Sequence, residues 1–268
     1  MPERKSILAS IWNSAPLRTL LGAACLLGAV VSPAAAQKPG AGRLDDPTLS
    51  AGDLKIEARR ATLLMAECFV RGGRSFVMNF IAYPAESKQA RWAWGQLGYH
   101  RWCLPDANMK FSGTLLRGAL FQALYLRDFG ATDAGSFAAV PVIDYAATYR
   151  AKSDKTFESA VGQSRFGDCV VRANPVTARS LIRSKIGSPE ELSSFANLAS
   201  ALNGCVTKGR LVNFSRSALR GLVAEGLYRL MAAKAGKTVS SNAIQSLPRD
   251  AVAASMAREA GRNRSKAL

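Results

Sequence analysis

Histidine is nearly absent from this chain: His100 is the single one among 268 residues. One histidine allows at most one nucleophile–base pair, and the sequence contains no Gly-x-Ser-x-Gly elbow, no phosphate-binding glycine loop and no His-Glu-x-x-His motif. Metal sites that depend on histidine ligands are disfavoured for the same reason. We therefore predict a protein that is not an enzyme and that needs neither a cofactor nor a metal.

The chain also lacks a hydrophobic run long enough to span a bilayer, which takes roughly 20 residues. The apolar stretch from Leu20 to Val31 is shorter than this. Basic residues precede it, and Pro33 to Ala36 follow it, which is the layout of a secretory signal with a small-residue cleavage site. We predict a signal peptide at residues 1–36, a periplasmic or secreted location, and no transmembrane anchor after cleavage.

Acidic side chains are scarce as well. The chain has 19 Asp and Glu residues against 36 Lys and Arg residues, a formal net charge of +17. This excess favours association with anionic surfaces, which in a cell envelope are lipid headgroups, lipopolysaccharide phosphates and peptidoglycan carboxylates. Nucleic acid would bind by the same attraction, but export separates the protein from it. Positive charge can also serve solubility alone, so both interpretations stay open.

What the sequence does contain is an internal repeat. Asp53–Arg71 matches Asp154–Arg172 at an offset of 101 residues, with Asp, Glu, Cys, Val and Arg in common. Phe111–Tyr125 matches Phe214–Tyr228 at an offset of 103, with seven identities in fifteen positions. Repetition on this scale indicates two copies of one structural unit.

The cysteines follow the repeat. Removal of the signal would take away Cys25 and leave four: Cys68, Cys103, Cys169 and Cys205. An even number in an exported chain indicates disulfides, and each copy holds one cysteine at the end of its first segment and another about 35 residues later. We predict one bridge per copy, Cys68–Cys103 and Cys169–Cys205, each stabilising by about 3–4 kcal/mol in the loop-entropy model.

Apolar residues recur at helical spacing in both copies, and an alternating strand pattern persists in neither. The predicted fold is all-α, with two tandem pseudo-repeats of about four helices each. Because the end of the chain is basic and contains no aromatic residue, we expect it to be flexible. The predicted organisation after the signal is a flexible segment at 37–52, repeat 1 at 53–128, a connector at 129–153, repeat 2 at 154–233 and a basic tail at 234–268.

Several helix starts carry residues that can accept a hydrogen bond from the free amides of a first turn. The predicted capping residues are Asp53, Ser112, Asp154, Asn174, Ser188 and Ser215. Asn174 and Ser188 each precede a proline at the first helical position, and Glu191 would complete a capping box with Ser188. Gly118 and Gly221 fall at matching places inside the fourth helices, where glycine costs about 1 kcal/mol relative to alanine, which predicts a close neighbour there.

One part of the repeat resembles a known family. The run Cys169-Val-Val-Arg172, the second cysteine at Cys205, and then Leu219 to Tyr228 are similar to a family of exported bacterial proteins of unknown role. The resemblance covers roughly Asp154–Met231 well and Asp53–Arg127 less well. It implies export and a repeated helical unit, and it carries over neither an activity nor a site residue.

Charged residues recur beside the cysteines. Glu67 and Asp168 precede the first cysteine of each copy; Arg71, Arg172, Arg117 and Arg220 also recur at matching places. We interpret these as structural ion pairs, in which each bridge brings an acid and an arginine together. The alternative is that Glu67 and Asp168 form the two carboxylates of a glycan-acting hydrolase.

The first copy has an aromatic stretch, Arg91 to Cys103, that the second copy lacks. At helical spacing Trp92 and Trp94 point to opposite sides, which is typical of a helix packed between neighbours. A binding site for a sugar or an anionic ring is the alternative interpretation, with Trp92, Trp94, Tyr99, His100 and Arg101 as its residues. We also expect His100 to be packed or half-buried, because it aligns with the apolar Leu202 of the second copy.

These observations favour an exported, non-enzymatic binding or scaffold protein of the cell envelope. Its expected partner is an anionic envelope polymer, a lipid surface or another protein, and not a physiological nucleic acid. The alternative function is the glycan-acting hydrolase with paired carboxylates.

Overall fold

Helices make up the regular secondary structure of the described part of the chain. The computed structural model describes residues 51–97, 101–104, 112–206 and 213–237, which belong to one compact unit. The helices are α1 (Ala51–Gly72), α2 (Arg74–Ile81), α3 (Lys88–Leu97), α4 (Gly113–Phe129), α5 (Tyr145–Thr148), α6 (Phe157–Ala173), α7 (Pro175–Arg183), α8 (Pro189–Asn197), α9 (Ala199–Cys205) and α10 (Arg216–Lys234), with a 3₁₀ turn at Arg101–Cys103 between α3 and α4. The all-α prediction is confirmed for these ranges, in which no helix is both long and apolar enough to cross a membrane.

Some predicted segments lie outside these ranges. The predicted signal peptide at 1–36 lies wholly outside the described residues. Most of the N-terminal segment at 37–52 and most of the basic tail at 234–268 lie outside them too.

Both predicted disulfides are present. Cys68 is bonded to Cys103, and Cys169 is bonded to Cys205, so each bridge closes a loop of similar length. The first bridge ties α1 to the 3₁₀ turn, and the second ties α6 to the end of α9. The predicted pairing is thereby confirmed.

Most of the predicted capping residues perform that role. The side chains of Ser112, Ser215, Asn174 and Ser188 each accept a hydrogen bond from an amide of the following first turn. The carboxylate of Glu191 accepts from the amide of Gly187 rather than from that of Ser188, so the predicted capping box is incomplete.

The predicted caps at the two aspartates are wrong. Asp53 lies inside the first turn of α1, because that helix begins two residues earlier, at Ala51. Asp154 precedes α6 and accepts hydrogen bonds from the amide and hydroxyl of Thr156, so it closes a turn before the helix rather than capping it.

The second half also contains one more helical break than predicted. Two short helices lead to Cys205, because α8 ends at Asn197 and α9 starts at Ala199. Leu198, which lies between them, is fully buried.

The centre of the fold is the packing of α10 against α4 and α6. A Cβ placed on Gly118 would lie 2.5 Å from the Cα of Gly221, and one placed on Gly221 would lie 2.7 Å from the Cα of Gly118. The two helices therefore touch backbone to backbone where both residues lack a side chain. The predicted close neighbour of each glycine is the other glycine.

The recurring tyrosines Tyr125 and Tyr228 are both buried, but their hydroxyls differ. The Tyr228 hydroxyl accepts from Arg74 at 3.2 Å and donates to Asp128 at 3.4 Å. The Tyr125 hydroxyl is buried and has no hydrogen-bond partner in the described part of the chain. An unpaired buried hydroxyl destabilises the folded state.

We expect Gly118→Ala to lower the free energy of unfolding by about 1–3 kcal/mol, because the new methyl group overlaps the backbone of α10 and forces the helices apart. Urea unfolding followed by circular dichroism measures this change. The control is Gly162→Ala in α6, where an added Cβ meets nothing within 4 Å. That variant should gain about 0.5–1 kcal/mol, and equal losses in the two variants would contradict the close packing.

We expect Tyr125→Phe to raise the free energy of unfolding by about 1 kcal/mol, since it removes a buried hydroxyl that lacks a partner. The matched control is Tyr228→Phe, which should lower it by about 1–2 kcal/mol because Arg74 and Asp128 lose a shared partner. The same urea measurement compares both, and similar losses in both variants would show that the Tyr125 hydroxyl is hydrogen-bonded.

Candidate functional site

The aromatic stretch is divided between core and surface. The ring of Trp94 stands edge-on to Phe69, with ring centroids 6.0 Å apart, and packs against the hydrophobic core. Trp92 lies on the other side of α3 and is 63% exposed. Trp102 in the 3₁₀ turn is 56% exposed. One side of α3 therefore packs against the core through Trp94, whereas the rings of Trp92 and Trp102 are exposed on the surface.

Trp102 belongs to a surface around the first disulfide. A Cβ on Gly72 would lie 3.6 Å from the Nε1 atom of Trp102, so the indole stands against the end of α1. Leu64 lies one helical turn before Cys68, on the same side of α1, and is 65% exposed. Trp102 directly precedes Cys103, the partner of Cys68. An aliphatic and an aromatic side chain thus flank the bridge.

Two arginines accompany these apolar groups. Arg71 is exposed and directly precedes Gly72, against which Trp102 stands. Arg127 of α4 is also exposed, and its guanidinium donates to the carbonyl of Val70. We call the surface formed by Leu64, Arg71, Trp102 and Arg127 around the Cys68–Cys103 bridge the bridge face.

The side chains of the other residues predicted for an aromatic site lie outside the part of the chain that the structure describes. Tyr99 and His100 lie outside the described residues. That His100 is packed or half-buried therefore stays a prediction. Arg101 opens the 3₁₀ turn, but its side chain is also outside what the structure describes.

Asp168 is held in a structural network. Its carboxylate accepts from Arg172 at 2.7 Å and from the Tyr145 hydroxyl at 2.9 Å. Arg172 also donates to the carbonyls of Phe137, Val140 and Pro141, and so fixes the segment between α4 and α5. Asp168 therefore holds Tyr145 and Arg172 in position within the fold.

Glu67 differs from its counterpart Asp168. It is half-buried, and burial raises its pKa, while the nearby charge of Arg71 acts in the opposite direction. Glu67 and Asp168 are thus in unlike surroundings, although they occupy matching positions in the sequence.

The arginines of α4 and α10 pair with acids other than those predicted to be their partners. Arg117 donates to both carboxylate oxygens of Glu225, at 3.2 and 2.9 Å, and to the carbonyls of Ile81 and Tyr83 at 2.6 and 3.0 Å. It also donates to the hydroxyl of Tyr149 at 3.1 Å. All five N–H groups of this buried guanidinium are therefore used.

A second arginine completes the surroundings of Glu225. Arg229 donates to Glu225 at 2.8 Å, and its guanidinium lies 5.2 Å from the centre of the Phe121 ring. It also faces the rings of Tyr145 and Tyr149, at 5.6 and 5.9 Å. Stacking on aromatic faces compensates in part for the loss of water around the buried cation.

Arg220 forms an equivalent arrangement with a different acid. It donates to Glu191 at 2.8 Å, to Gln122 at 3.0 Å, and to the carbonyls of Ile182 and Ser184 at 3.1 and 2.8 Å. Arg59 of α1 pairs with the same Glu191. Arg117 and Arg220 are thus ion-paired and buried, but with Glu225 and Glu191 instead of the acids beside the cysteines.

A cleft of about 120 Å³ lies beside the crossing of α4 and α10. The buried groups Arg117, Tyr149 and Glu225 line it, together with the polar side chains of Ser159 and Gln163. Glu86 also lines the cleft, and its carboxylate accepts from the amide and the hydroxyl of Thr114. Because every N–H group of Arg117 is already used, this guanidinium has no donor left for a ligand.

Within the described residues, no three His, Cys, Asp or Glu side chains group closely enough to hold a metal ion. Comparisons of the chain with protein-family models, with curated proteins and with solved structures find no match.

We expect the free energy of unfolding to fall at acidic pH, as Glu225 becomes protonated. Burial by itself raises the pKa of Glu225, but the charges of Arg117 and Arg229 outweigh it and hold the pKa at about 2, below its ordinary value of 4.5. A depressed pKa contributes stability that is complete above about pH 4.5 and is lost as the pH falls towards 2. Glu225→Gln should unfold about 3–5 kcal/mol more easily at neutral pH, because two buried arginines lose their counter-charge.

Urea unfolding at a series of pH values measures both effects. The difference between the native protein and Glu225→Gln should shrink between pH 4.5 and 2. The control is Glu158→Gln, which changes an exposed acid at the start of α6 and should alter stability by no more than about 0.5 kcal/mol. A pH-independent difference for Glu225→Gln would contradict the pairing.

Proposed function

We propose that this chain is an exported, non-enzymatic binding or scaffold protein of the cell envelope that engages an anionic envelope component. In this proposal its body consists of two tandem helical repeats, 53–128 and 154–233, each with its own disulfide. The observation that carries the proposal is the distribution of charge over the described surface.

Exposed basic residues outnumber exposed acidic ones. The exposed bases in the described ranges are Lys55, Arg71, Lys88, Arg91, Arg127, Lys152, Lys155, Arg165, Arg183, Lys185, Arg216, Lys234 and Lys237. The exposed acids there are Asp53, Glu86, Asp133, Asp144, Glu158 and Glu190. Because Glu191 and Glu225 are buried against arginines, they do little to offset the positive surface. Such a surface attracts polyanions and anionic lipid from a distance.

Matched contacts in the two halves support the tandem repeat. Arg117 donates to the carbonyls of Ile81 and Tyr83, and Arg220 donates to those of Ile182 and Ser184, which lie 101 positions later. Likewise Ser87 caps α3 by accepting from the amide of Ala90, and Ser188 caps α8 by accepting from that of Glu191. At these positions, residues that match in the sequence make matching hydrogen bonds.

The disulfides support export. Two bridges in a chain of this size are typical of proteins from oxidising compartments, such as the periplasm or the extracellular space. The basic surface would meet the anionic polymers and lipids of the envelope in those compartments.

We expect the native protein to co-sediment with purified peptidoglycan sacculi, lipopolysaccharide or anionic lipid vesicles at low salt, and to be released at high salt. The Debye length falls from about 10 Å at 0.1 M salt to about 3 Å at 1 M, so electrostatic attraction should weaken strongly. The control is an uncharged polysaccharide such as dextran, which should not bind. Failure to bind any of the three anionic materials at either salt concentration would overturn the proposal.

A further inference from the structure

We infer that the bridge face is a docking surface for an anionic lipid bilayer, with Trp102 and Leu64 entering the headgroup region and Arg71 and Arg127 contacting lipid phosphates. This inference rests on the proposed function and names its partner. Two independent features of the surface carry it: the exposure of large apolar side chains, and the basic groups beside them.

The apolar part consists of two side chains whose transfer out of water is favourable. Leu64 is 65% exposed and Trp102 is 56% exposed, and they flank the same disulfide. Tryptophan is enriched at membrane interfaces, because its ring is apolar and its N–H group is polar. Contact between an aliphatic side chain and lipid acyl chains is favourable, whereas an aliphatic side chain interacts only weakly with a sugar. Leu64 therefore favours lipid over a polysaccharide as the partner.

The basic part is complementary to lipid phosphates. Arg71 directly precedes Gly72, which contacts Trp102, and Arg127 is held at the end of α1 by its bond to the Val70 carbonyl. The acid on this part of α1, Glu67, is half-buried, whereas both arginines are exposed. Each basic group near an anionic membrane surface strengthens binding about fivefold.

The disulfide restrains the turn that carries Trp102. The bridge ties the backbone of the 3₁₀ turn to α1, so less of this backbone has to be ordered on binding. A pre-ordered apolar anchor loses less entropy when it binds than a flexible one does.

The test uses the full exported chain and vesicles of phosphatidylcholine with or without phosphatidylglycerol. Binding should require phosphatidylglycerol. Leu64→Gln should weaken it by about tenfold, because an exposed apolar anchor is lost, and Arg71→Gln by about fivefold, because one cation is lost. Both side chains are exposed, so both variants should fold, which circular dichroism checks.

Two matched controls lie elsewhere on the protein. Leu192 of α8 is another exposed leucine, at 46%, and Leu192→Gln should leave vesicle binding unchanged. Trp92 is another exposed tryptophan, and it lies on α3. Quenching of tryptophan fluorescence by brominated lipid should persist in Trp92→Phe and be largely lost in Trp102→Phe.

The outcomes separate this inference from the proposed function. Binding to sacculi or lipopolysaccharide without binding to anionic vesicles would overturn the lipid surface and leave the proposed function standing. Equal losses in Leu64→Gln and Leu192→Gln, or quenching that persists in Trp102→Phe, would overturn the bridge face as the docking surface. Absence of binding to all these materials would overturn both.

Discussion

The fold depends on the contact between α4 and α10 at Gly118 and Gly221. Because neither residue has a side chain, the two helix backbones touch, and the arginine just before each glycine is brought within reach of the other helix. Arg117 thus reaches Glu225 of α10, and Arg220 reaches Gln122 of α4. A larger residue at either glycine would separate the helices and stretch both sets of hydrogen bonds.

Many basic residues of this protein bind backbone carbonyl groups. Arg60 donates to Ile186, Arg172 to the segment between α4 and α5, Arg183 to Gly130 and Lys234 to Ala134. Helix ends and loops leave carbonyls without partners, and a long cationic side chain can satisfy several of them. Part of the positive charge is therefore structural, and the remainder is displayed on the surface.

The sequence predicted the features that are local or repeated. Helical periodicity, four of the caps and the cysteine pairing all depend on short segments or on the offset between the matching stretches of sequence. The partners of Arg117 and Arg220 could not be predicted in this way. Glu225 aligns with Gln122, and Glu191 aligns with Ala90, so neither acid has a matching acid in the other half. They were missed because the pattern of matching charges pointed to the acids beside the cysteines. The exposure of Trp102 was missed for another reason: it depends on how the first bridge orients a short turn, which residue spacing does not specify.

The bond between Arg117 and Glu225 joins residues 108 positions apart, and both side chains are buried in the folded protein. Synthesis from the N-terminus makes Arg117 long before Glu225. Until α10 has been made, the cation on α4 has no counter-charge at the place where that helix will lie. The final packing of α4 therefore has to follow the synthesis of α10.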